Sequence, residues 1–228
     1  MKFDLVGTAI NYGVFVASVT LHEAAHAWAA WRLGDDTAHR GGLVSLDPTP
    51  HIRRSVMGMV VVPIAAFLLQ GWMLGWASTP YDRQWALAHP RRSALMGLAG
   101  PAANLLLAAL AAGGILVGVA CGALEVLAHP SWDQVAGALE GGAWPCAAYV
   151  LSIVFSLNLL LTLFNLMPVP PLDGASALML VLPQAQAASY WAWTQRGQLA
   201  FIGLLLAWRG FDLVFVPVWK AAIGLLHG

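Results

Sequence analysis

Residues 5–33 read LVGTAINYGVFVASVTLHEAAHAWAAWRL, an apolar run of helical length that carries the pentapeptide His22-Glu23-Ala24-Ala25-His26 near its end. Residues four apart on a helix share one face, so His22 and His26 can bind one metal ion. Glu23 lies beside that ion and can act as the general base on a zinc-bound water. Ionisable side chains at membrane depth are costly unless they are paired or functional. The stretch therefore predicts a hydrolytic site inside a membrane helix, with one Zn²⁺ per chain.

The composition points to a membrane protein. Of the 228 residues, 59% are hydrophobic and 10% are charged, and the mean hydropathy is +0.71. Soluble domains carry roughly 25% charged residues. Apolar runs of about 20 residues are typical of membrane-spanning helices rather than of a β-barrel. We therefore predict an all-α polytopic protein in contact with membrane lipid, and the zero net charge without a basic cluster excludes nucleic acid as a partner.

The apolar segments predict four spans in one integral-membrane domain over residues 1–228. The core of that domain covers residues 5–182, and the spans are about 5–33, 93–121, 147–167 and 199–216. Leu43–Leu46 is predicted to form a short β element near the cytosolic side, and a loop with a short helix precedes the last span. The segment Val56–Trp76 is also apolar but is interrupted by glycines and a proline.

Arginine placement predicts the orientation. Seven arginines fall between the last turn of the first span, which holds Arg32, and the span that starts at Ser93, whereas the loop Gly122–Pro145 carries no Lys or Arg. The positive-inside rule then places the first region in the cytoplasm and the N-terminus outside. Val56–Trp76 must be re-entrant for this to hold. The alternative, an ordinary fifth span, requires a third metal ligand other than the one proposed below.

A catalytic zinc ion needs three protein ligands and one open position for water. Asp173 is the best candidate for the third ligand, because it follows the Pro-rich end of the third span. His51, in a Pro-flanked loop, is the competing candidate. If Asp173 binds the metal, it lies at the depth of His22 and His26, and the first and third spans run in the same direction. A re-entrant Val56–Trp76 satisfies that condition, in agreement with the charge rule.

Two asparagines in apolar helices are further candidates. Asn165 lies eight residues before Asp173 and could donate a hydrogen bond to the carbonyl of the scissile bond, which would stabilise a tetrahedral oxyanion. The alternative role for Asn165 is an interhelical hydrogen bond. Asn104 follows Gly100-Pro101 among small residues that allow close helix packing, and we interpret it as structural.

The sequence contains two cysteines, Cys121 and Cys146, which bracket one hydrophilic loop. A disulfide bond between them and two free thiols are both compatible with this spacing.

Three motifs occur in order along the chain. They are His22-Glu23-x-x-His26, Gly100-Pro101-x-x-Asn104, and Asn165-x-x-Pro168-x-Pro170-x-Leu172-Asp173-Gly174. Together they resemble the site-2 protease family of intramembrane zinc metalloproteases, in its compact bacterial branch without a PDZ or CBS domain. The resemblance covers about residues 19–182. It implies that His22, His26 and Asp173 bind zinc, that Glu23 activates water and that Asn165 assists.

The resemblance also implies a substrate, a location and a type of reaction. The substrate would be a protein with a transmembrane helix, cut near the cytosolic side in regulated intramembrane proteolysis. The location would be the bacterial inner membrane, with the active site toward the cytosol; a homo-oligomer is compatible with this. The competing hypothesis is a zinc-binding membrane protein that does not hydrolyse, such as a metal carrier. A carrier would be expected to show paired repeats or ligands spread across the membrane depth, whereas this chain has one cluster.

Overall fold

The computed structural model describes residues 5–70 and 73–227. Four of the described helices are long and apolar enough to cross a membrane. They are α1 (Leu5–Leu33), α6 (Pro90–Ala120), α7 (Trp144–Asn165) and α9 (Gly197–His227). The predicted all-α polytopic class and its four spans are confirmed.

Shorter elements connect the spans. The helical ones are α2 (Thr37–Arg40), α3 (Pro48–Arg54), a π-helical turn (Met57–Val61), α4 (Val62–Gln70), α5 (Arg83–Ala88), a 3₁₀ helix (Asp173–Leu180) and α8 (Gln184–Thr194). The strands β1 (Leu124–Val126) and β2 (Ala136–Ala138) pair antiparallel, with Leu124 opposite Ala138. This sheet belongs to the loop between α6 and α7.

The strand predicted at Leu43–Leu46 is wrong, because these residues form a bend. The Leu43 amide donates to the carbonyl of Ala38, and the Leu43 side chain is buried with Ala27 and Ala38. The apolar residues thus attach a loop to α1 and α2 instead of forming a ladder. The predicted β element near the cytosolic side is therefore misplaced, since the observed sheet lies in the loop predicted to be outside.

The predicted re-entrant segment folds back on itself. Between α3 and the stretch Met57–Leu69 the chain bends by 108°. The Trp76 amide then donates to the carbonyl of Gly58 at 3.0 Å, so the segment returns to the level at which it began. Residues 71–72, within the predicted segment, lie outside the described residues. The bend and the return contact are what a re-entrant segment requires, and the placement of Val56–Trp76 in the membrane stays a prediction.

A second contact joins the two ends of the segment that connects α1 to α5. The Asp82 amide donates to the Asp35 carboxylate at 2.8 Å, just beyond the end of α1. Asp35 is buried and also accepts from the amide of Thr37. We call the segment 35–82 the re-entrant excursion. Because it starts and ends together, α1 and α6 meet at one side, and α7 runs in the direction of α1.

Helix α6 lies at the centre, packed against α1, α7 and the 3₁₀ helix. One core cluster joins α6, α7 and the small sheet, with Ile115, Leu124 and Phe155 buried in it. Helix α9 lies at the periphery. It continues past the predicted end at residue 216 through Pro217, because Ile223 and Leu226 are buried in the same cluster.

Cys121 and Cys146 are both exposed and free. The disulfide alternative is therefore wrong, and the two thiols lie at the two ends of the loop that carries the sheet.

Candidate active site

Helix α1 places the His-Glu-x-x-His motif in the protein interior. His22, Glu23 and His26 keep only 8%, 6% and 6% of their surface exposed. The two Nε2 atoms of the histidines are 2.9 Å apart, as expected for imidazoles one helical turn apart on one face. The helix therefore presents two nitrogen donors at one point.

Asp173 completes a three-residue cluster. It is the first residue of the 3₁₀ helix, directly after the Pro-rich loop that ends α7. Its Oδ2 atom lies 3.2 Å from Nε2 of His22 and 3.4 Å from Nε2 of His26. The three donor atoms lie within 4.8 Å of one another, which suits a single metal ion. The structure thus brings together the three predicted ligands.

His51, the competing ligand, lies elsewhere. Its side chain is buried on α3, and its Nε2 is 3.0 Å from the carbonyl of Ser45. Among the described residues the candidate metal cluster is formed by His22, His26 and Asp173. His51 instead fixes the loop that precedes α3.

The outer nitrogens of the two histidines are already paired. Nδ1 of His22 contacts Oδ1 of Asn104, and Nδ1 of His26 lies 2.8 Å from the carbonyl of Met96. Both partners accept hydrogen bonds, so each Nδ1 carries the proton and each Nε2 keeps its lone pair. Two imidazole lone pairs and one carboxylate facing each other are the donor set that zinc prefers. The site therefore fits a zinc ion.

Gly100 leaves the space that such an ion needs. A Cβ atom at this position of α6 would lie 2.3 Å from Nε2 of His26 and 2.6 Å from Nε2 of His22. No real Cβ contact is that short, so a side chain here would displace the imidazoles. The glycine of the Gly100-Pro101 motif thus forms the wall of the site.

A buried polar chain supports His22 from behind. The amide of Asn104 donates to Oδ1 of Asn158 at 2.7 Å, and the amide of Asn158 donates to the hydroxyl of Ser18 at 2.9 Å. Asn104 and Asn158 have no exposed surface. Asn104 therefore contacts a candidate ligand, beyond the packing role inferred from the sequence. Asn158, a buried amide in an apolar helix, was missed, although its polarity at that depth was a usable signal.

Glu23 is held by a residue that sequence reasoning missed. The hydroxyl of Thr79 lies 2.7 Å from the Glu23 carboxylate and 3.0 Å from the Glu23 carbonyl. A hydroxyl has one proton to donate, and the closer, charged acceptor takes it. Thr79 lies in the extended return segment of the re-entrant excursion, where no local sequence pattern marks it.

Asn165, at the end of α7, is partly buried. Its amide donates to the carbonyl of Leu161, one turn earlier on the same helix, at 3.0 Å. This bond is neither the predicted contact with a reacting carbonyl nor the alternative contact between helices.

A cavity beneath α8 reaches the site. It has a volume of about 280 Å³ and reaches Asp173 between the start of α6, the 3₁₀ helix and the α8–α9 junction. Tyr81 lines it and donates to Gln195 at 3.2 Å. Burial raises the pKa of the Tyr81 hydroxyl, so it remains a neutral donor at physiological pH. The cavity connects the cluster to the end of the protein where α1 stops.

The residues of this site lie within a stretch of the chain that matches one family of peptidases. The description of peptidase family M50 matches residues 12–206. The chain belongs to this family. The match includes the histidine pair, Asp173 and the re-entrant excursion.

The names of similar proteins agree with the M50 assignment. Two of them share names that begin "Putative zinc metalloprotease": YwhC of Bacillus subtilis and Rip2 of Mycolicibacterium smegmatis. YwhC is 32% identical over 90% of this chain and 84% of its own length. Rip2 is 29% identical over 77% of this chain and 61% of its own length. Rip2 of Mycobacterium tuberculosis strain Erdman is 32% identical over 73% of this chain and 57% of its own length. No solved structure is significantly similar.

The M50 membership and the four apolar helices identify a membrane-embedded metalloprotease. The predicted resemblance to site-2 proteases is confirmed. Membership in a peptidase family favours hydrolysis over the competing hypothesis of a zinc-binding protein without hydrolytic activity.

Proposed function

We propose that this M50 protein hydrolyses a peptide bond in or near a transmembrane segment of a membrane-protein substrate. One observation carries the proposal: His22, His26 and Asp173 converge within 4.8 Å beside Glu23, inside a bundle of membrane-length helices. Three ligands with a neighbouring carboxylate form the arrangement that a hydrolytic metal site needs. The single domain over residues 1–228 holds all of these groups.

His22, His26 and Asp173 would hold one Zn²⁺ per chain. Zinc, when bound, polarises the scissile carbonyl and lowers the pKa of a bound water toward about 7. The chain contributes the orientation of the ligands. Asn104 and Met96 fix the Nδ1 tautomers, so that both Nε2 atoms face the cluster.

Glu23 acts as the general base in this proposal. Its carboxylate takes the proton from the attacking water and delivers it to the leaving amide nitrogen. A base must be held within reach of both atoms, and a buried carboxylate without a partner would be free to rotate. Thr79, at 2.7 Å, fixes one carboxylate oxygen and leaves the other for the proton.

Asn165 is proposed to assist at the reacting carbonyl. A side-chain amide carries two N–H donors, and the bond to Leu161 uses one of them. The second donor is then available to a substrate carbonyl as negative charge develops on its oxygen.

The location proposed for this reaction is the inner membrane of a bacterial cell, with the active site toward the cytosol. Arginines concentrate in the excursion, at the start of α5 and in the first turn of α6, on the side of the bundle where α1 ends. The substrates we propose are proteins with a transmembrane helix, cut in regulated intramembrane proteolysis. Membrane lipid surrounds the bundle, and a homo-oligomer is compatible with the exposed faces.

The deciding experiment compares purified wild type with Glu23→Gln on a panel of single-span substrates, with zinc counted in both. We expect cleavage by wild type alone and about one zinc per chain in each. Glu125→Gln, at an exposed glutamate of strand β1, is the matched control and should cleave normally. Cleavage by Glu23→Gln at the wild-type rate would refute the role of Glu23. Well-folded wild type without zinc would refute the metal site.

A further inference from the structure

A groove runs along α1 on the side that faces the re-entrant excursion. Its floor is one face of the helix, formed by Tyr12, Gly13, Val16, Ala17 and Thr20. Its wall is formed by the loop before α3 and by α3 itself, and its volume is about 280 Å³. We call this feature the α1 groove. Its surface is almost entirely apolar, so it suits an apolar occupant.

Small residues on the floor leave open space in the groove. Gly13 and Ala17 are one helical turn apart and both are exposed. A Cβ added to Gly13 would meet no atom within 4 Å, so nothing in the described chain fills this space. Small residues four apart let another transmembrane helix approach closely. The shape therefore fits a helix from another chain.

Thr20, at the inner end of the groove, carries an independent signal. The residue is only 2% exposed, and its hydroxyl has no hydrogen-bond partner among the described residues. A helical threonine can bond to the carbonyl four residues earlier, but this one does not. An unpaired hydroxyl buried in an apolar setting calls for a polar partner. Lipid chains carry no such group, whereas a peptide backbone does.

The groove leads to the proposed general base. Glu23 lies three residues beyond Thr20, which makes the two residues neighbours on the helix surface. A helix lying along Gly13 and Ala17 would thus reach Glu23 after passing Thr20. It would have to unwind there, because a helical peptide bond is shielded, and the freed backbone groups would need partners within the membrane.

We propose that the α1 groove binds the transmembrane helix of the substrate. Gly13 and Ala17 receive its helical part, and the Thr20 hydroxyl bonds a backbone group released where the helix unwinds before Glu23. This inference rests on the proposed proteolytic function and names the surface by which its substrate is held. The groove thereby acts before the chemistry, in docking and unwinding.

Photo-crosslinking tests the docking without turnover. A photoreactive residue replaces Ala17 in the Glu23→Gln variant, and the same residue replaces Gly224 as control. Gly224 is an exposed position on α9 with open space around it. We expect a single-span substrate to crosslink from position 17 and not from position 224. Equal or exclusive crosslinking from position 224, or capture of lipid or a second copy alone at position 17, would overturn the proposal.

Kinetics test the groove separately from hydrolysis. Gly13→Leu should raise KM for a single-span substrate at least tenfold, with kcat/KM on a short extended peptide unchanged, whereas Gly224→Leu should change neither. Thr20→Val should lower kcat on the helical substrate several-fold, and Thr20→Ser should restore it. Normal KM in Gly13→Leu would refute docking while leaving the protease intact. Crosslinking at position 17 with no cleavage by wild type would instead refute the proposed function and leave docking in place.

Discussion

Gly100 shows how a missing side chain makes room for a metal ion. Gly100→Ala would put a methyl carbon 2.3 Å from Nε2 of His26, where the ligand nitrogens converge. We expect the variant to lose at least nine-tenths of its zinc and its proteolytic activity. Alanine favours a helix over glycine by up to about 1 kcal/mol, so the fold itself should not be weakened by helix propensity. Zinc counted per purified chain is the measurement.

The matched control for this prediction is Gly113→Ala on the same helix, where an added Cβ meets no atom within 4 Å. It should keep its zinc and activity. A Gly100→Ala protein with full zinc content would show that the ion does not occupy the space between the two imidazoles.

Thr79 is predicted to set kcat through Glu23. Thr79→Val keeps the shape of the side chain but removes the donor that lies 2.7 Å from the carboxylate. A net hydrogen bond to a charged group is worth about 1.5–3 kcal/mol, so we expect kcat to fall roughly ten- to a hundredfold. KM and zinc content should stay near the wild-type values, because neither depends on this contact.

Thr79→Ser retains the hydroxyl and should recover most of kcat. Ser78→Ala removes a neighbouring, exposed hydroxyl and serves as the control, with wild-type kcat expected. If Thr79→Val altered KM or zinc content while kcat stayed constant, Thr79 would be a structural residue only.

The role of a single residue could be predicted where it depends on residues close to it in the sequence. The spacing of His22 and His26 predicts their shared face, and the Pro-rich end of α7 marks Asp173. Thr79 and Asn158 act through partners far along the chain, so no periodicity or neighbouring motif points to them. Asn104 was interpreted as a packing residue because its contact with His22 depends on how α1 and α6 are placed.

Among the elements, the re-entrant excursion depends on a close backbone approach. A Cβ on Gly58 would lie 2.1 Å from the carbonyl oxygen of Trp76, and backbone at that distance must move. We expect Gly58→Ala to destabilise the protein by roughly 1–3 kcal/mol, as overpacking does. Activity should fall further, since the return segment carries Thr79. Thermal inactivation midpoints and kcat measure the two effects.

Gly141→Ala, in the loop between β2 and α7, is the control, because its added Cβ meets open space. It should match the wild type in both measurements. Unchanged stability in Gly58→Ala would mean that the backbone of the re-entrant excursion can move away from the added methyl group without loss of stability.

The long helices could be predicted from the sequence more reliably than the short elements. The four spans follow from long apolar runs, and the re-entrant fold of 56–76 follows from the depth that Asp173 requires. The prediction of a strand at 43–46 was wrong because a short apolar run is compatible both with pairing in a sheet and with packing against a helix. The predicted end of α9 at residue 216 is too early. Proline commonly ends a helix, but α9 continues through Pro217 because Ile223 is buried in the core.

The whole molecule has a predicted orientation that its two cysteines can report. Cys121 and Cys146 are exposed, free and at opposite ends of the α6–α7 loop. The arginine distribution places that loop outside. We expect a membrane-impermeant maleimide to label both thiols in intact spheroplasts, with no disulfide seen in non-reducing gels.

The control replaces both cysteines with serine and introduces one cysteine at Arg83, an exposed position at the start of α5. That thiol should be labelled only after the membrane is opened. Labelling of Arg83→Cys in intact spheroplasts would reverse the orientation and place the active site toward the outside.

The distance along the chain between the histidine pair and Asp173 has a consequence for biosynthesis. A ribosome delivers α1 to the membrane before α6, α7 and the 3₁₀ helix, in that order. Until then the nascent chain holds two of the three ligands that a hydrolytic zinc centre requires. Each newly made molecule therefore lacks a complete set of metal ligands until the 3₁₀ helix has followed α1, α6 and α7 into place.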